Sequence, residues 1–598
     1  DGNLAGGFAL SHATDLILGV LNVGGDVTLN ISGDLLVDGK VDVEGEANIQ
    51  AERVLSSVDG EIEADRLAVT TASLGSVVQA LGLDVDEINL QIQRDLLGNV
   101  RRVIDFSAAE FAANETVVMT IDGTDYTIAA GADLRTSLSA IGAAQEDIKV
   151  DDLRFVVTGS LVDKTITFAS FVGGEANTET EDSIDAISDV TETLERDVIN
   201  FSQDGDQTIE RLINDYGLIA ISATGDLTIE QEISAADDLS LLADGAVVMQ
   251  SQSIIRSRTG SVSIEGGQAV NQGSDGFIDA DLDVTVLSTN GTITLNGFVE
   301  PVRKMIVNAG VDLLISDHIE TSSSVELTSG ANLYLQGRVD AGTTVAMTAG
   351  DNIELSSSLK ATDNISVVAK GEAKVLGAIQ ATSLDMNVDD GLILRGAVAT
   401  TGDLNLSGLG ALTLNDVVSS GADMAIDMGG DIILSENVSA EGSLLIDGAG
   451  LTALGTLEAR GGPLVISVDG SVALFGRLLA QEELRMIVGQ YLQMSDVSVG
   501  ERFYANAGSI VGLSSVDAGT SVMMYAQEGL SLFGTLRAVD NVQLTAMEGG
   551  LFAQAQLQST AGDVVLYGGS SVNLQDSVKA GRGNIIIFGE NIVTQDVV

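Results

Sequence analysis

An apolar pattern that returns every twenty residues is the feature that most constrains how this 598-residue chain folds. Between Ser324 and Ile446, three apolar positions recur in each line of twenty. The first recurs at Val325, Val345, Ile365, Leu384, Leu404, Met424 and Leu444. The second recurs at Leu333, Ile353, Leu392, Leu412 and Ile432, and the third at Val339, Leu359, Ile379, Val398, Val418 and Val438. A fixed period of this length is typical of repeat architectures, in which each unit packs on its neighbours.

Short apolar stretches separated by turns rich in Gly and Asn predict an all-β fold, a parallel β-helix (β-solenoid) with about 20 residues and three short strands per turn. Gly and Asn tolerate the left-handed conformations of sharp corners. The chain has only two prolines, which fits a ladder whose strands are paired on both sides. An array of β-sandwich domains is the competing interpretation, but such an array has no strict twenty-residue register. The usual crossover preference favours a right-handed solenoid.

The period is interrupted once, which predicts three regions. Residues 1–83 form N-terminal solenoid turns, with Leu35, Leu55 and Leu74 in second-strand positions. Residues 84–217 form an inserted small α+β module, and residues 218–598 form the main solenoid.

Within the insert, an Asp-Gly pair between 117–121 and 126–128 predicts a hairpin. Strands are expected at 153–158 and 165–171, and a helix at 132–144. Residues 89–103 are either helical or extended. Apolar residues at helical spacing predict two amphipathic helices around 184–198 and 209–216.

The turns lengthen between residues 262 and 306. Val262, Val284 and Ile306 each lie about 22 to 23 residues beyond the preceding first-strand position. We expect the extra residues of these swollen turns to form loops on one face of the solenoid.

The charge balance excludes several classes of partner. There are 87 Asp and Glu residues against 28 Lys and Arg, a formal net charge of −59. Nucleic acid and anionic lipid both need a basic surface, so we expect neither as a partner. The chain contains no uninterrupted apolar run of about 18 residues, so no transmembrane segment is predicted. There is no Cys, which excludes disulfides and thiolate metal sites. The chain starts at Asp1 without Met or a signal peptide, so we expect a mature product or a fragment.

The chain shows no arrangement typical of an active site, and we predict no catalytic, cofactor-binding or metal-binding residues. The outward column after the third apolar position runs Asp340, Lys360, Gln380, Ala399, Ser419, Ser439 and Glu458, without an acidic cluster. His12 and His318 lie in distant repeats and suit neither a triad nor a metal site. We therefore expect a protein that is not an enzyme.

Calcium is the one metal that the sequence leaves open. Asp275, Asp279, Asp281 and Asp283 place four carboxylates within nine residues, and the last three would share one face of a strand. Ca²⁺ prefers oxygen ligands of this kind. The spacing matches neither an EF-hand nor a β-roll repeat, so Ca²⁺ binding here is a hypothesis.

Lines such as GDLNLSGLGALTLNDVVSSG and GDVVLYGGSSVNLQDSVKAG resemble the repeats of filamentous-haemagglutinin-like exoproteins and other giant bacterial β-helical surface proteins. The resemblance covers about three quarters of the chain and rests on period and turn chemistry. It implies secretion, adhesion, or the building of an extracellular fibre or coat. The amino-terminal secretion domain of the haemagglutinins is not recognisable here.

These observations together predict a non-enzymatic extracellular structural protein, a subunit or segment of a cell-surface fibre, sheath or coat. Ile585, Ile592 and the pair Val597 and Val598 fill the strand positions of the last repeat, with no polar cap after them. We therefore expect either a longer protein or head-to-tail self-association through uncapped solenoid ends. The alternative is an adhesin that uses the insert or the swollen turns 262–306 to bind a glycan or a cell-surface receptor.

Overall fold

The structure, a computed structural model, describes residues 2–71, 73–75, 80–92, 100–105, 115–121, 124–130, 148–150, 153–160, 165–170, 191–214, 217–512 and 514–595. Every regular element in these residues is a β-strand. The chain divides into two compact units, residues 1–291 with 295–302, and residues 292–294 with 303–598. Each unit is a parallel β-solenoid, which confirms the predicted fold class.

In the second unit each turn contains a first, a second and a third strand. The first strands are Lys304–Ala309, Ser324–Ser329, Val345–Ala349, Asn364–Ala369, Ser383–Val388, Leu404–Gly408, Met424–Met428, Leu444–Gly448, Leu464–Val468, Leu484–Val488, Phe503–Ala507, Val522–Ala526 and Val542–Ala546. The second strands are Leu313–Ile315, Leu333–Leu335, Ile353–Leu355, Glu372–Val375, Gly391–Leu394, Ala411–Leu414, Asp431–Leu434, Gly450–Ala453, Val472–Leu474, Tyr491–Met494 and Ser509–Gly512. The third strands are Ile319–Thr321, Val339–Ala341, Leu359–Ala361, Ile379–Ala381, Val398–Thr400, Val418–Ser420, Val438–Ala440, Leu457–Ala459, Arg477–Ala480, Asp496–Val499, Ser515–Ala518 and Val578–Ala580. Longer strands that combine two positions are Leu530–Ala538, Gly550–Ser559, Val564–Leu574 and Ile585–Thr594.

The first unit has the same design with less regular turns. Before the insert its strands are Gly2–Leu4, Phe8–His12, Leu16–Leu18, Leu21–Val23, Val27–Ile31, Leu35–Val37, Lys40–Gln50, Arg53–Ser56, Glu61–Thr71, Ser73–Leu74 and Leu81–Ile92. After the insert they are Thr191–Gln203, Gln207–Asn214, Gly217–Ala223, Leu227–Ala235, Leu239–Ala243, Ala246–Met249, Ile254–Ser257, Val262–Gly266, Ala269–Gln272, Phe277–Ala280, Asp283–Ser288 and Phe298–Pro301. Strand Thr292–Leu295 falls where the two units are divided.

The predicted columns are the core of the second unit. Val325 pairs with Val345, and Val345 with Ile365, each in parallel register. The third column is paired in the same way from Val339 to Val438. Residues of these columns are 0–1% exposed. Alternate residues face inward because side chains on a strand alternate between its two faces. The inward apolar side chains stabilise every turn through contact with those of the turns on either side.

Two predicted core positions are displaced by one residue. Val54, and not Leu55, pairs with Leu35, and Leu55 pairs with the outward Leu36. Ile306 likewise pairs with Glu326, while Met305 occupies the buried position beside Val325. Both errors have the same cause: a corner that is one residue shorter or longer reverses which strand residues face the core.

The insert leaves the first solenoid after Ile92. Its described strands are Val100–Asp105, Glu115–Ile121, Thr124–Ala130, Ile148–Val150, Leu153–Ser160 and Thr165–Ser170. The predicted hairpin is confirmed, with Glu115–Ile121 antiparallel to Thr124–Ala130. The strands expected at 153–158 and 165–171 are present and pair antiparallel with each other. The helix expected at 132–144 lies outside the described residues.

The predicted amphipathic helices at the end of the insert are wrong where the structure describes them. Residues 191–203 form one strand, and residues 207–214 form a second that pairs in parallel with Leu227–Ala235. Both are solenoid strands, so the solenoid resumes before residue 218. The apolar residues at helical spacing are explained by a register shift between Ile209 and Arg211, which changes the alternation within the strand.

Candidate functional site

The first unit carries an open cleft of ≈ 550 Å³ at a corner shared by several turns. Its polar lining includes Asp59, Glu61, Asp204 and Thr224. The Thr224 hydroxyl donates to Asp204 Oδ1 at 2.6 Å, and Lys40 Nζ lies 3.2 Å from Glu61 Oε1. Asp204 and Glu61 are therefore already engaged by neighbouring turns. The cleft offers carboxylates and hydroxyls, but its lining contains no His to activate a hydroxyl nucleophile.

Lys40 is held between two turns by acidic residues. Its ammonium group bonds to Glu63 and Glu61, and these hydrogen bonds raise the pKa of Lys40 above its usual range. The lysine therefore stays charged and cannot serve as a general base near neutral pH.

Where the chain re-enters the solenoid after the insert, it is hydrogen-bonded to the last turn that precedes the insert. Ser73 Oγ donates to the carbonyl of Val198 at 2.7 Å and accepts from the Val198 amide at 3.0 Å. Next to this contact, Leu74 pairs in parallel with Ile199. Strand Thr191–Gln203 also pairs antiparallel with Val100–Asp105 of the insert. One continuous strand therefore belongs both to the insert sheet and to the solenoid ladder.

The prediction that the extra residues of the swollen turns form loops is only partly right. The extra residues lengthen two corners and the third strand, as the four-residue strand Phe277–Ala280 shows. Gln252 and Asp275 adopt positive φ values of 67° and 55° at equivalent corners of adjoining turns. Left-handed corners of this kind take up an extra residue without breaking the ladder.

The aspartates proposed to bind calcium do not share a strand face. Asp279 lies on strand Phe277–Ala280, Asp281 lies in the following bend, and Asp283 begins the next strand. Asp279 Oδ2 accepts a hydrogen bond of 2.9 Å from Arg256 Nε. Because the chain turns after Ala280, alternation along one strand cannot align the three carboxylates. Among the residues described, no three or more His, Cys, Asp or Glu are grouped to hold a metal ion.

Arg256 also belongs to an aromatic stack on the outside of these turns. Its guanidinium carbon lies 5.6 Å from the ring centroid of Phe277. The Phe277 ring stacks on Phe298 at 5.6 Å between centroids. An arginine with both a carboxylate and an aromatic partner is held in place, and it stabilises the contact between turns.

The outward column tested for catalytic groups is stacked as expected but carries no acid pair. Asp340 pairs in register with Lys360, and Ser439 with Glu458. The Asp340 carboxylate bonds Arg338, and the Glu458 carboxylate bonds Arg460. Each carboxylate thus has a cation beside it, and the positions between them carry Gln, Ala and Ser.

Both histidines make local contacts. His12 Nδ1 lies 3.0 Å from the carbonyl of Thr14, and His318 Nε2 lies 3.2 Å from Glu320 Oε2. His12 Nδ1 also lies 3.4 Å from the Thr14 hydroxyl, but this contact is exposed and within one corner, and a triad also needs a carboxylate that orients the imidazole.

Outward aromatic residues in the last turns were missed by the sequence reasoning. Tyr504, Tyr525, Tyr567 and Phe588 all occupy outward positions of first strands. Their spacing of about one or two turns was visible in the sequence. The inward columns establish the repeat, and they carry no information about the outward residues between them.

The chain is a β-solenoid repeat protein, as its parallel pairing and constant register show. Comparisons with protein-family models, with curated proteins and with solved structures found no match for it. None of the residues that the structure describes forms a helix that could span a bilayer.

Proposed function

We propose that this chain is a non-enzymatic structural segment of an extracellular surface protein, a fibre, sheath or coat built on a β-solenoid. The observation that supports the proposal is the continuous ladder of the second unit. Its first strands pair turn after turn from Lys304 to Gly589 without an insertion. A core of stacked apolar columns with bonded corners resists local opening, which is the property that a stiff spacer requires.

More narrowly, we assign the chain to filamentous-haemagglutinin-like exoproteins. This assignment is based on the sequence of its twenty-residue repeats and on the Gly and Asn residues at their corners. The acidic surface suits secretion into a saline medium, where counterions screen its self-repulsion. Antibodies raised against the purified chain should label intact cells of the source organism. Label that appears only after the cells are broken open would contradict an extracellular location.

Head-to-tail self-association is part of this proposal. Ile585 and Ile592 continue the buried columns of Val564 and Val572, so a further strand stacked on them would extend the core. An apolar strand with an open edge is a template for another strand. Negative-stain electron microscopy should show thin fibres whose formation depends on protein concentration. Monomers that persist in light scattering at every concentration would rule out this assembly.

An adhesin is the second candidate, and the strand shared by the insert and the solenoid is the observation that favours it. This connection would hold a binding module firmly against a stiff support. The test removes residues 93–190 and joins the flanking strands with a short Gly-Ser linker. Binding of the full chain to cells or glycan arrays should be lost in the deletion variant, while fibre formation should be kept. Binding that survives the deletion would exclude the insert as the adhesive element.

A further inference from the structure

The outer surface of the second unit changes character along its first strands. Four carboxylates and no aromatic residue occupy the outward positions between Ser324 and Val468; the carboxylates are Glu326, Asp385, Asp427 and Asp447. The same outward positions between Leu484 and Gly589 contain four aromatic residues and no carboxylate. The chain has a net charge of −59 and only 4% aromatic residues. A stretch whose outward positions contain four aromatic residues and no carboxylate therefore differs from the rest of the chain.

We define this surface as the aromatic face. Its members are Arg485, Ile487, Tyr504, Asn506, Met523, Tyr525, Gln543, Thr545, Val565, Tyr567, Ile586 and Phe588. Tyr567 is 39% exposed, so its ring is available to solvent. Acidic residues flank these strands: Glu590 follows Phe588 by two residues, Asp563 accepts a hydrogen bond from the Asn584 amide, and Glu528 accepts one from the Ser509 hydroxyl.

The tyrosines of the aromatic face are arranged by the ladder. The rings of Tyr504 and Tyr525 lie in adjoining strands with centroids 5.9 Å apart. Tyr525 and Tyr567 are both in register with Thr545, one strand away on either side. Thr545 points outward but is only 8% exposed, because the larger tyrosines flank it. At about 4.8 Å per strand, the two tyrosines are spaced by about 10 Å along the stacking direction.

We propose that the aromatic face binds an uncharged polysaccharide that lies along the stacked first strands. The apolar face of a sugar ring presents C–H groups of partial positive charge, and an aromatic ring presents a negative face that attracts them. The tyrosine hydroxyls and the amides of Asn506 and Gln543 can exchange hydrogen bonds with sugar hydroxyls. A regular polymer can engage several rings at once, so contacts that are weak singly add up along the chain.

The negative charge of the protein favours a neutral polymer over charged polysaccharides and over a second copy of the chain. An anionic polysaccharide is repelled by the net negative charge, and a cationic one would find its carboxylate partners elsewhere on the surface. A second copy of this chain brings the same negative charge with it. The aromatic face belongs to the second unit and the insert to the first, so the variants that test the two proposals do not overlap.

Affinity gel electrophoresis of the full chain tests the proposal with three probes: hydroxyethyl cellulose, galactomannan and polygalacturonate. At least one of the two neutral polymers should retard the protein, and polygalacturonate should not. Replacing both tyrosines in the variant Tyr525→Ala/Tyr567→Ala should weaken binding roughly tenfold or more, as loss of central aromatic contacts does. The variant Tyr525→Phe/Tyr567→Phe keeps the rings and should keep most of the binding.

Tyr334→Ala is the matched control, because Tyr334 is an outward tyrosine that is 38% exposed and has Leu314 and Glu354 beside it. This control should bind as the unaltered chain does. Circular dichroism and trypsin resistance establish that each variant is folded. The proposal is overturned if neither neutral polymer retards the protein, or if the double alanine variant binds with unchanged affinity. Association between copies that the double variant abolishes, seen by sedimentation velocity without polymer binding, would assign the face to a second copy instead.

Discussion

Buried polar side chains in the described turns hold the backbone of one turn against the next. Ser420 Oγ donates to the carbonyl of Gly402 at 2.7 Å, and Ser329 Oγ does the same to Val311 at 2.6 Å. Asp34 and Arg53 form a buried charged contact between turns, and they are 4% and 8% exposed. Arg53 Nε donates to Asp34 Oδ1 at 3.0 Å, and Asp34 is in turn bonded by its amide to Asp15. A buried group of this kind is costly to leave unpaired.

Replacing Arg53 with Met leaves the Asp34 carboxylate buried without its cation, and we expect a loss of about 3–5 kcal/mol. The effect is expected in the turns around this pair, so the measurement is amide hydrogen exchange in residues 16–37 and 53–74. Adding Asp34→Leu to this variant should recover much of the loss, because the pair is then replaced by apolar side chains.

Arg460→Met is the matched control for that prediction. Arg460 pairs with Glu441 and Glu458 at the surface, where its side chain is 51% exposed. Solvent already screens such a pair, so exchange near Arg460 should not change measurably. Equal effects of the two substitutions would contradict the role assigned to burial.

A titratable contact between turns is found at Asp496. Hydrogen bonds from Ser514 and Ser515 lower the pKa of the Asp496 carboxyl, and the Ser515 hydroxyl lies 2.9 Å from it. Because the folded state favours the ionised form, this stabilisation is present above the unfolded pKa of about 4 and is lost as the pH falls through the lower folded value.

We therefore expect Asp496→Ala to lower the Tm at pH 7, and the difference from the unaltered chain to shrink as the pH falls below about 4. Thermal unfolding followed by circular dichroism at several pH values measures this difference. Asp517→Ala, on the neighbouring strand Ser515–Ala518, provides the control. A difference in Tm that grows toward acid pH would show that the sign of the pKa shift is wrong.

At the scale of whole strands and corners, short ladders of Asp and Asn connect the turns. Asp312 Oδ1 accepts the Asn332 amide at 3.0 Å, Asn332 Oδ1 accepts from the Asn352 side chain at 3.1 Å, and Asn352 Oδ1 accepts the Glu372 amide at 2.8 Å. Acidic residues do the same where Asp423 Oδ1 accepts the Ser443 amide at 2.7 Å. Part of the acidic composition therefore satisfies backbone groups at corners.

Some corners require glycine for steric reasons. Gly534 has a φ of 92°, and a Cβ there would lie 1.9 Å from the carbonyl oxygen of Ser514. The close approach of adjoining turns and the left-handed backbone thus act at the same residue. This is the origin of part of the high glycine content.

Asn352→Ala should destabilise its corner by about 1 kcal/mol, because the Glu372 amide loses its acceptor. The measurement is the exchange rate of that amide, which we expect to rise about fivefold. Asn405→Ala is the control, since Asn405 faces outward from the strand Leu404–Gly408 and is exposed. An unchanged rate in the first variant would show that water replaces the side-chain acceptor without cost.

For the whole molecule, the dominant electrostatic quantity is the net charge of −59. Like charges on a folded surface repel, and salt shortens the range of that repulsion from about 30 Å at 0.01 M to about 3 Å at 1 M. The folded state should therefore be more stable in salt.

We expect the Tm to rise between 0.01 M and 1 M NaCl, measured by circular dichroism. CaCl₂ at equal ionic strength separates screening from site binding. A larger rise in CaCl₂ would support calcium binding, whereas a Tm that falls with salt would contradict the importance of self-repulsion.

The period, the parallel pairing and the core columns were predictable from the residue order. Val339, Leu359 and Ile379 recur at equal intervals because each must fill the same place in successive turns, so the sequence records the geometry directly. The hairpin of the insert was predictable for a similar reason, since the Asp-Gly pair in the sequence and the alternating strands are local signals.

Which individual residue of each strand faces the core depended instead on packing between turns. Met305 in place of Ile306, Val54 in place of Leu55, and strand in place of helix at 207–214 all arise where a corner or a register shift changes the alternation. Either neighbouring residue is apolar enough to be buried, and the choice is made by how the adjoining turn stacks. The same holds for the aromatic face, whose tyrosines are scattered along the chain and become neighbours because parallel strands bring residues about twenty apart into register. The composition and period of the chain thus establish a β-solenoid, while contacts between turns decide which residues face the core and which meet on the surface.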